Sequence, residues 1–329
     1  MPKFSLIIPV YNVEKYLADC LDSCMNQTFS DIEIICINDC SPDGSSKILD
    51  EYVKRDSRIK VINHEKNKGL GGARNTGVEA ATGDYSWFID SDDMIALDAC
   101  ELLSSIINNT QAQIIRFNSL SFYDDATNRL GRYNGIDKCY WPYNEIITKN
   151  AHTRLKITEV TAWSYITHTS HLKKFKFREN AFHEDIDFTQ ILFSEAESIY
   201  CINSALYFRR LHNQSITGGA ISKNKLLVDK LLAVDALYNY IASIKLERTH
   251  FIVRGLHNGI KDLKKEYNTY PEIHNEKFKL LISDIEKSKP VFYGDTNLYN
   301  DIIKNYGNTK LLEFILKVYR YWNRLKNAF

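Results

Sequence analysis

The chain has no excess of either charge. Its 42 Lys and Arg stand against 41 Asp and Glu, a formal net charge of +1. That balance leaves no basic footprint for nucleic acid. Nor does any run approach the ~18 consecutive apolar residues of a membrane-spanning helix. The first residues, Met1 to Asn12, hold one Lys and a short apolar stretch but no small-residue cleavage site. No secretory signal is read there, and a cytoplasmic location is expected. Cysteine is scarce and odd in number, at seven. An odd set fits a reducing compartment better than a disulfide framework. Cys20/Cys24 and Cys36/Cys40 are suggestively spaced, but Cys20, Cys24 and Cys36 fall on an expected helix face and inside an apolar strand, where thiols serve as small hydrophobes. Internal repeats and low-complexity segments are absent as well.

What the chain does have is the run Tyr85-Ser86-Trp87-Phe88-Ile89-Asp90-Ser91-Asp92-Asp93. An aromatic stretch of strand length ends in three carboxylates within four residues. Such carboxylates repel one another unless a cation sits among them. Oxygen ligands suit Mg²⁺ or Mn²⁺, which commonly also hold a phosphate. Open α/β sheets place their ligands at strand ends of this kind. The alternative is a solvated acidic turn after a buried strand.

The surrounding pattern is alternating. Phe4 to Val10, Ile32 to Ile37 and Tyr85 to Ile89 read as buried strands, and Ile59 to Ile62 as a further strand. Helices are expected from Val13 to Asn26 with Asn12 as cap, from the Ser41–Gly44 turn to Arg55, from the glycine-bearing 66–72 loop to near Gly83, and over Leu97 to Asn108. Gln113 to Phe117 reads as a further strand. This alternation predicts an α/β fold with parallel strands in an open doubly wound sheet. Its carboxyl edge gathers Tyr11, Asn12, Asp39, the 66–74 loop and Asp90 to Asp93 into one ligand pocket. After residue 120 the pattern loosens, and from about Ile221 it reads as helices to the end. Three regions are expected: an α/β half (1–120), a second half of the same domain (121–219), and a helical C-terminal region (220–329).

Several groups on this frame carry chemistry. Asp39, at a strand end, can accept hydrogen bonds from a nucleobase or serve as an ordinary turn Asp. Asn67 to Asn75 opens a helix, where the backbone at Gly71 can approach an anion and Arg74 can pair with phosphate. Gly69-x-Gly71 imitates a dinucleotide fingerprint, but the loop before it is long and Arg74 stands where a third glycine belongs. Glu184-Asp185, with Asp187, suits a helix start electrostatically. In the functional reading Asp185 is a general base held by its neighbours. Arg209, Arg210 and His212 follow the apolar strand Ile199 to Phe208, and His212 can ligate a metal or hold a diphosphate. Leu311 to Phe329 spaces aromatics and aliphatics at helical intervals among Lys and Arg. It suits an anionic membrane surface, or packing on the chain itself or a partner.

In this order, Ser5 to Asn12, Asn38-Asp39 with Ser41 and Gly44, Asn67 to Gly77, Asp90-Ser91-Asp92-Asp93 and Glu184-Asp185 resemble the inverting family 2 glycosyltransferases of GT-A fold, over about residues 3–217. The likeness is greatest to small bacterial enzymes that decorate lipooligosaccharide, capsule or other surface glycans. The resemblance implies a Rossmann-like GT-A sheet and a nucleotide-sugar donor, most often a UDP sugar. It also implies a glycan or glycolipid acceptor, and no nucleic acid. By the same resemblance, 1–120 is the nucleotide-sugar-binding half and 121–219 the acceptor-binding and catalytic-base half. Pro9, Val10, Tyr11, Asn12 and Asp39 would hold base and ribose, and Asn67, Gly71, Arg74, Asp90 and Ser91 would complete that site. Asp92 stands at the metal position for Mn²⁺ or Mg²⁺, supported by Asp90, Asp93 and His212. Asp185 matches the catalytic base, beside Glu184. Trp163-Ser164-Tyr165-Ile166 replaces the relatives' Trp-Asn-Lys-Leu, so the acceptor pocket is expected to differ. The Gln-x-x-Arg-Trp motif and membrane spans of processive synthases are missing, which favours a single addition. A nucleotidyltransferase would need a glycine-rich loop after the first strand, where Pro9 to Asn12 stand. A catalytically silent glycan- or membrane-binding protein of the same fold is the other alternative.

Overall fold

The computed structural model describes residues 2–123, 130–134, 144–148 and 160–212, with single positions at 229, 233, 236, 237 and 240. The chain divides into two compact units, Met1–Ile221 and Ser222–Phe329. Those single positions apart, the region expected to be helical from 220 onward lies outside the described residues, as does the Leu311–Phe329 segment. Among the described residues no helix is long and apolar enough to cross a membrane.

The first unit is built on β1 (Phe4–Val10), whose side chains are buried along its whole length. A strand covered on both faces is a near-continuous apolar run, and FSLIIPV is one but for Ser5, whose hydroxyl donates to Glu33 at 2.7 Å. It pairs in parallel with β2 (Ile32–Asn38) on one side and β4 (Tyr85–Phe88) on the other. Beyond β2 lies parallel β3 (Ile59–Asn63). The crossovers are α1 (Leu17–Met25), α2 (Ser45–Arg55) and α3 (Gly69–Ala80). The short strand β5 (Met94–Ile95), α4 (Ala99–Thr110), β6 (Ile114–Tyr123), β7 (Leu130–Asn134) and β8 (Ile146–Thr148) follow. Then come β9 (Tyr165–His168), α5 (Thr169–Leu172), α6 (Glu184–Ser194) and β10 (Ser198–Leu211).

Among the described residues these strands form one sheet of ten, in the order β3-β2-β1-β4-β9-β6-β10-β5, with β7 on β6 and β8 on β10. The expected α/β fold is present, but the sheet is mixed rather than parallel. β9 inserts antiparallel between β4 and β6. Its four residues carry no directional signal. What holds it is tertiary: Trp87 Nε1 donates to the Trp163 carbonyl at 2.8 Å, and Ser86 Oγ meets Thr169 Oγ1 at 2.9 Å. The insertion leaves β4, and the acidic turn after it, in the middle of the sheet. At the far side β5 pairs antiparallel with Tyr207 and Phe208 of β10, which draws the end of β10 onto that turn.

The first helix is shorter than its sequence pattern predicts. Asn12 takes a positive φ of 56°, and helical structure begins only at Leu17. The intervening residues bridge to the next loop instead. Asn12 N–H donates to Ser41 Oγ at 2.8 Å, Glu14 N–H to Asp43 at 2.8 Å, and Gly44 N–H to Glu14 at 2.8 Å. Cys20, Cys24, Cys36 and Cys100 are all fully buried in the core, where burial raises the thiols of Cys36 and Cys100. They act as small hydrophobes.

Candidate active site

The acidic turn after β4 is braced from β10. Asp93 is 3% exposed, and both its oxygens are engaged: Oδ2 accepts from Tyr207 Oη at 2.7 Å and Oδ1 from Arg210 N–H at 2.7 Å. Tyr207 Oη in turn accepts the Asp90 N–H at 3.0 Å. Arg210 donates to the Asp92 carbonyl at 3.0 Å and to Asp19 at 2.7 Å, with its guanidinium over the Tyr16 ring. Asp93 is thus a strut inside the turn, and its carboxylate is not presented to a cation.

Asp92 is differently placed. Its Oδ2 lies 2.9 Å from His212 Nε2, and the imidazole rests on the Tyr16 ring at 4.4 Å. The other ring nitrogen of His212 is buried without a hydrogen-bond partner among the described residues. Burial, and then the charge of Asp90, push the Asp92 carboxyl above its usual range, while His212 pulls it back. Burial and the charges of Asp92 and Asp90 push Asp93 up as well. This is a carboxylate group short of positive charge, with an imidazole aimed at one of its oxygens. Those donors fit a divalent cation. Among the described residues no group of three His, Cys, Asp or Glu is already gathered in metal-ligand geometry.

Arg74, on α3, is 2% exposed, and its guanidinium lies against the Phe88 and Phe177 rings, which themselves meet edge to face. Its Nη2 donates to Asp90 at 2.8 Å and its Nη1 to Glu184 at 2.5 Å. Burial alone would lower its pKa, but the charges of Asp90, Glu184 and Asp185 raise it and keep it a cation. It was expected to pair with phosphate. Instead two carboxylates already share its charge, so it couples the acidic turn to the start of α6. Glu184 is 5% exposed and committed to that pair. Asp185, the next residue, is partly exposed. Burial first, and the Glu184 charge second, push its carboxyl up to about 8, against the opposing pull of Arg74. Such a group sits near neutrality, where a proton acceptor works best.

The glycine segment departs from expectation too. A Cβ at Gly71 would overlap the Arg178 carbonyl oxygen, and one at Gly69 would touch the Asn180 backbone at 3.0 Å. Residues 177–180 pack against the Cα side of both glycines. Asn75 fastens that strap with two bonds, Nδ2 to the Phe177 carbonyl at 2.9 Å and Oδ1 from the Phe177 N–H at 2.8 Å. Lys68 O accepts the Asn180 N–H at 2.9 Å. The Phe177 ring stacks on Phe188 of α6 at 3.5 Å. Gly71 therefore admits the strap that leads to Glu184 and Asp185.

At the end of β2, Asp39 is 2% exposed. Its Oδ1 accepts from Lys68 N–H at 2.8 Å and contacts His64 Nδ1 at 2.7 Å, and its carbonyl accepts from Asn67 Nδ2 at 3.0 Å. Pro9 and Val10 are buried, and the Val10 carbonyl accepts the Asp39 N–H at 3.0 Å. Tyr11 at the adjoining strand end is 50% exposed, Asn12 is exposed, and Ser91 is buried within its turn. His64, Asn75, Phe177 and Tyr207 were not singled out from sequence. Each is one polar or aromatic residue whose partner lies 25 to 117 positions away.

The sequence matches the family model described as glycosyl transferase family 2 over residues 5–176. It is 36% identical over 230 residues to the uncharacterized glycosyltransferase EpsJ of Bacillus subtilis (strain 168), a match covering 66% of this chain and 63% of EpsJ. The chain thus spans less than two thirds of that relative. It is 32% identical over 279 residues to the putative glycosyltransferase EpsH of the same organism, covering 83% of this chain and 75% of EpsH. The solved structure of S. aureus TarS 1–349 in complex with UDP-GlcNAc superposes with a TM-score of 0.63 at 18% identity, covering 99% of this chain and 92% of that one. At that identity the likeness establishes the GT-A fold.

Proposed function

The chain belongs to glycosyl transferase family 2 and is a glycosyltransferase, and from that premise we propose that it moves one sugar from a UDP sugar to a hydroxyl of a glycan or glycolipid. The observation that carries this reading is the junction at Arg74, which draws the acidic turn and the base-bearing end of α6 together. In it, residues 1–120 serve the donor and 121–219 the acceptor and base.

Tyr11 offers a half-exposed ring to the nucleobase, and Asp39 offers a carboxylate oxygen. Pro9, Val10 and Asn12 form the wall of the base and ribose subsite, Asn67 holds the Asp39 backbone, and Ser91 shapes the turn. TarS, with the same fold, is solved with UDP-GlcNAc, which supports a UDP sugar as donor. Asp92 and His212 would hold Mn²⁺ or Mg²⁺, with Asp90 beside them and Asp93 as strut. A cation there supplies positive charge to the departing diphosphate.

Asp185 takes the proton of the acceptor hydroxyl as that oxygen attacks the anomeric carbon. The bond to the UDP oxygen breaks in the same displacement, so the configuration inverts. Glu184 cannot share the task, because Arg74 occupies it. The Glu184 charge raises the basicity of the neighbouring carboxyl, and the Arg74 charge opposes that rise.

UDP release from a panel of UDP sugars tests the assignment, with wild type and Asp185→Asn compared in Mn²⁺. Release is expected to fall at least a hundredfold while UDP affinity stays within twofold. Turnover surviving within about tenfold, roughly 1.4 kcal/mol of barrier, would overturn Asp185 as the base.

A further inference from the structure

β2 and β3 end side by side, joined by Asn38 Nδ2 donating to Asn63 Oδ1 at 2.8 Å. His64 is the next residue. Its backbone N–H donates to the Asn38 carbonyl at 2.9 Å, which carries the imidazole over the end of β2. The side chain is 5% exposed and meets the Asp39 carboxylate, itself 3% exposed, through Nδ1 at 2.7 Å. Its Nε2 lies 2.8 Å from Thr76 Oγ1 on α3.

The network fixes the hydrogen on one ring nitrogen. A carboxylate only accepts, so Nδ1 carries a hydrogen toward Asp39, while Nε2 meets Thr76 Oγ1, which also lies 3.2 Å from the Gly72 carbonyl. Asp39 Oδ1 is then held twice, by His64 and by the Lys68 N–H, while no described residue donates to Oδ2. The carboxylate cannot turn without losing two bonds, and its free lone pairs have a fixed direction.

We propose that His64 is a positioning residue for the nucleotide: it sets the Asp39 carboxylate so that Oδ2 selects a base presenting a ring N–H, as uracil does. The proposal rests on the reading of Asp39 as the base-binding acid. Cytosine has a lone pair where uracil has that N–H, so a fixed Oδ2 repels it. A carboxylate free to rotate makes neither bond nor repulsion as sharply. The determinant is thus the imidazole behind the acid as much as the acid itself, a case of a binding group pre-organised by its support.

Calorimetric affinities of the full chain for UDP and CDP in Mn²⁺ test this, read as the ratio of the two. A general loosening of the fold weakens both nucleotides alike and leaves the ratio in place. His64→Ala is expected to reduce the preference for UDP about tenfold. His64→Asn, whose amide nitrogen can reach where Nδ1 stands, should recover most of it. Thr76→Val, of nearly the same shape, should fall between, and it carries the test if His64→Ala does not fold. Asp39→Asn should abolish the preference. A ratio that survives Asp39→Asn overturns the base-binding reading and this proposal with it. A ratio abolished by Asp39→Asn but intact in His64→Ala and Thr76→Val overturns the role of His64 alone.

Discussion

Arg74 and Glu184 are 110 residues apart in sequence, yet Nη1 of one lies 2.5 Å from the carboxylate of the other, beside the Phe88 and Phe177 rings. The pair is what makes an acidic turn and a distant helix start into one site.

Removing Arg74 would leave Glu184 and Asp90 as like charges with no cation between them. Breaking a buried pair from one side costs about 3–5 kcal/mol. Arg74→Met is expected to lose stability in that range by urea unfolding. Arg74→Met with Glu184→Gln should recover part of the loss, since the stranded buried charge is gone. Equal stability of wild type and Arg74→Met would contradict the coupling.

Gly71 tests the strap. Gly71→Ala places a methyl group on the Arg178 carbonyl, so residues 177–180 must lift from α3. UDP release is expected to fall at least tenfold while UDP binding changes little, because Asp185 moves and Asp39 does not. A loss of UDP affinity with unchanged turnover would return Gly71 to the phosphate.

These features mark how far the sequence can be read. β1, β2 and β4 are legible because each is a largely apolar run, as both-face burial demands, whereas the partly buried β3 is legible from its place between two helices. The turn at Asp90 to Asp93 is legible because three carboxylates need a reason to be together. β9 is not, since Tyr165 to His168 acquires its direction only from the partners on either side. Gly71 misled for a related cause. A glycine at a helix start signals close approach of something, and whether that is a phosphate or the Arg178 carbonyl depends on a segment a hundred residues on. Arg74 likewise announces an anion, and the chain supplies two of its own in Asp90 and Glu184.

The acidic cluster sets a pH dependence. Burial raises the Asp92, Asp93 and Asp185 carboxyls, the last to about 8. A carboxyl raised on folding favours the fold while protonated. Its contribution is complete below the ordinary value of about 4 and is lost as pH rises through the folded value. In EDTA, wild type should therefore lose stability relative to Asp185→Asn between pH 4 and about 8. Mn²⁺ should offset much of the acidic cluster's cost at pH 7.5 and little at pH 5, as read by thermal unfolding. A Mn²⁺ effect larger at pH 5 would contradict this sign.

The most direct test of the account is a thermal-unfolding panel of UDP sugars, each with Mn²⁺ and with EDTA, on wild type and Asp92→Asn. A ligand at a hundred times its Kd adds about 2.7 kcal/mol of stability. The account predicts such a gain with at least one UDP sugar in Mn²⁺, absent in EDTA and absent in Asp92→Asn. No gain from any UDP sugar in Mn²⁺, or the same gain in EDTA, would contradict a metal-assisted UDP-sugar site at the end of β4.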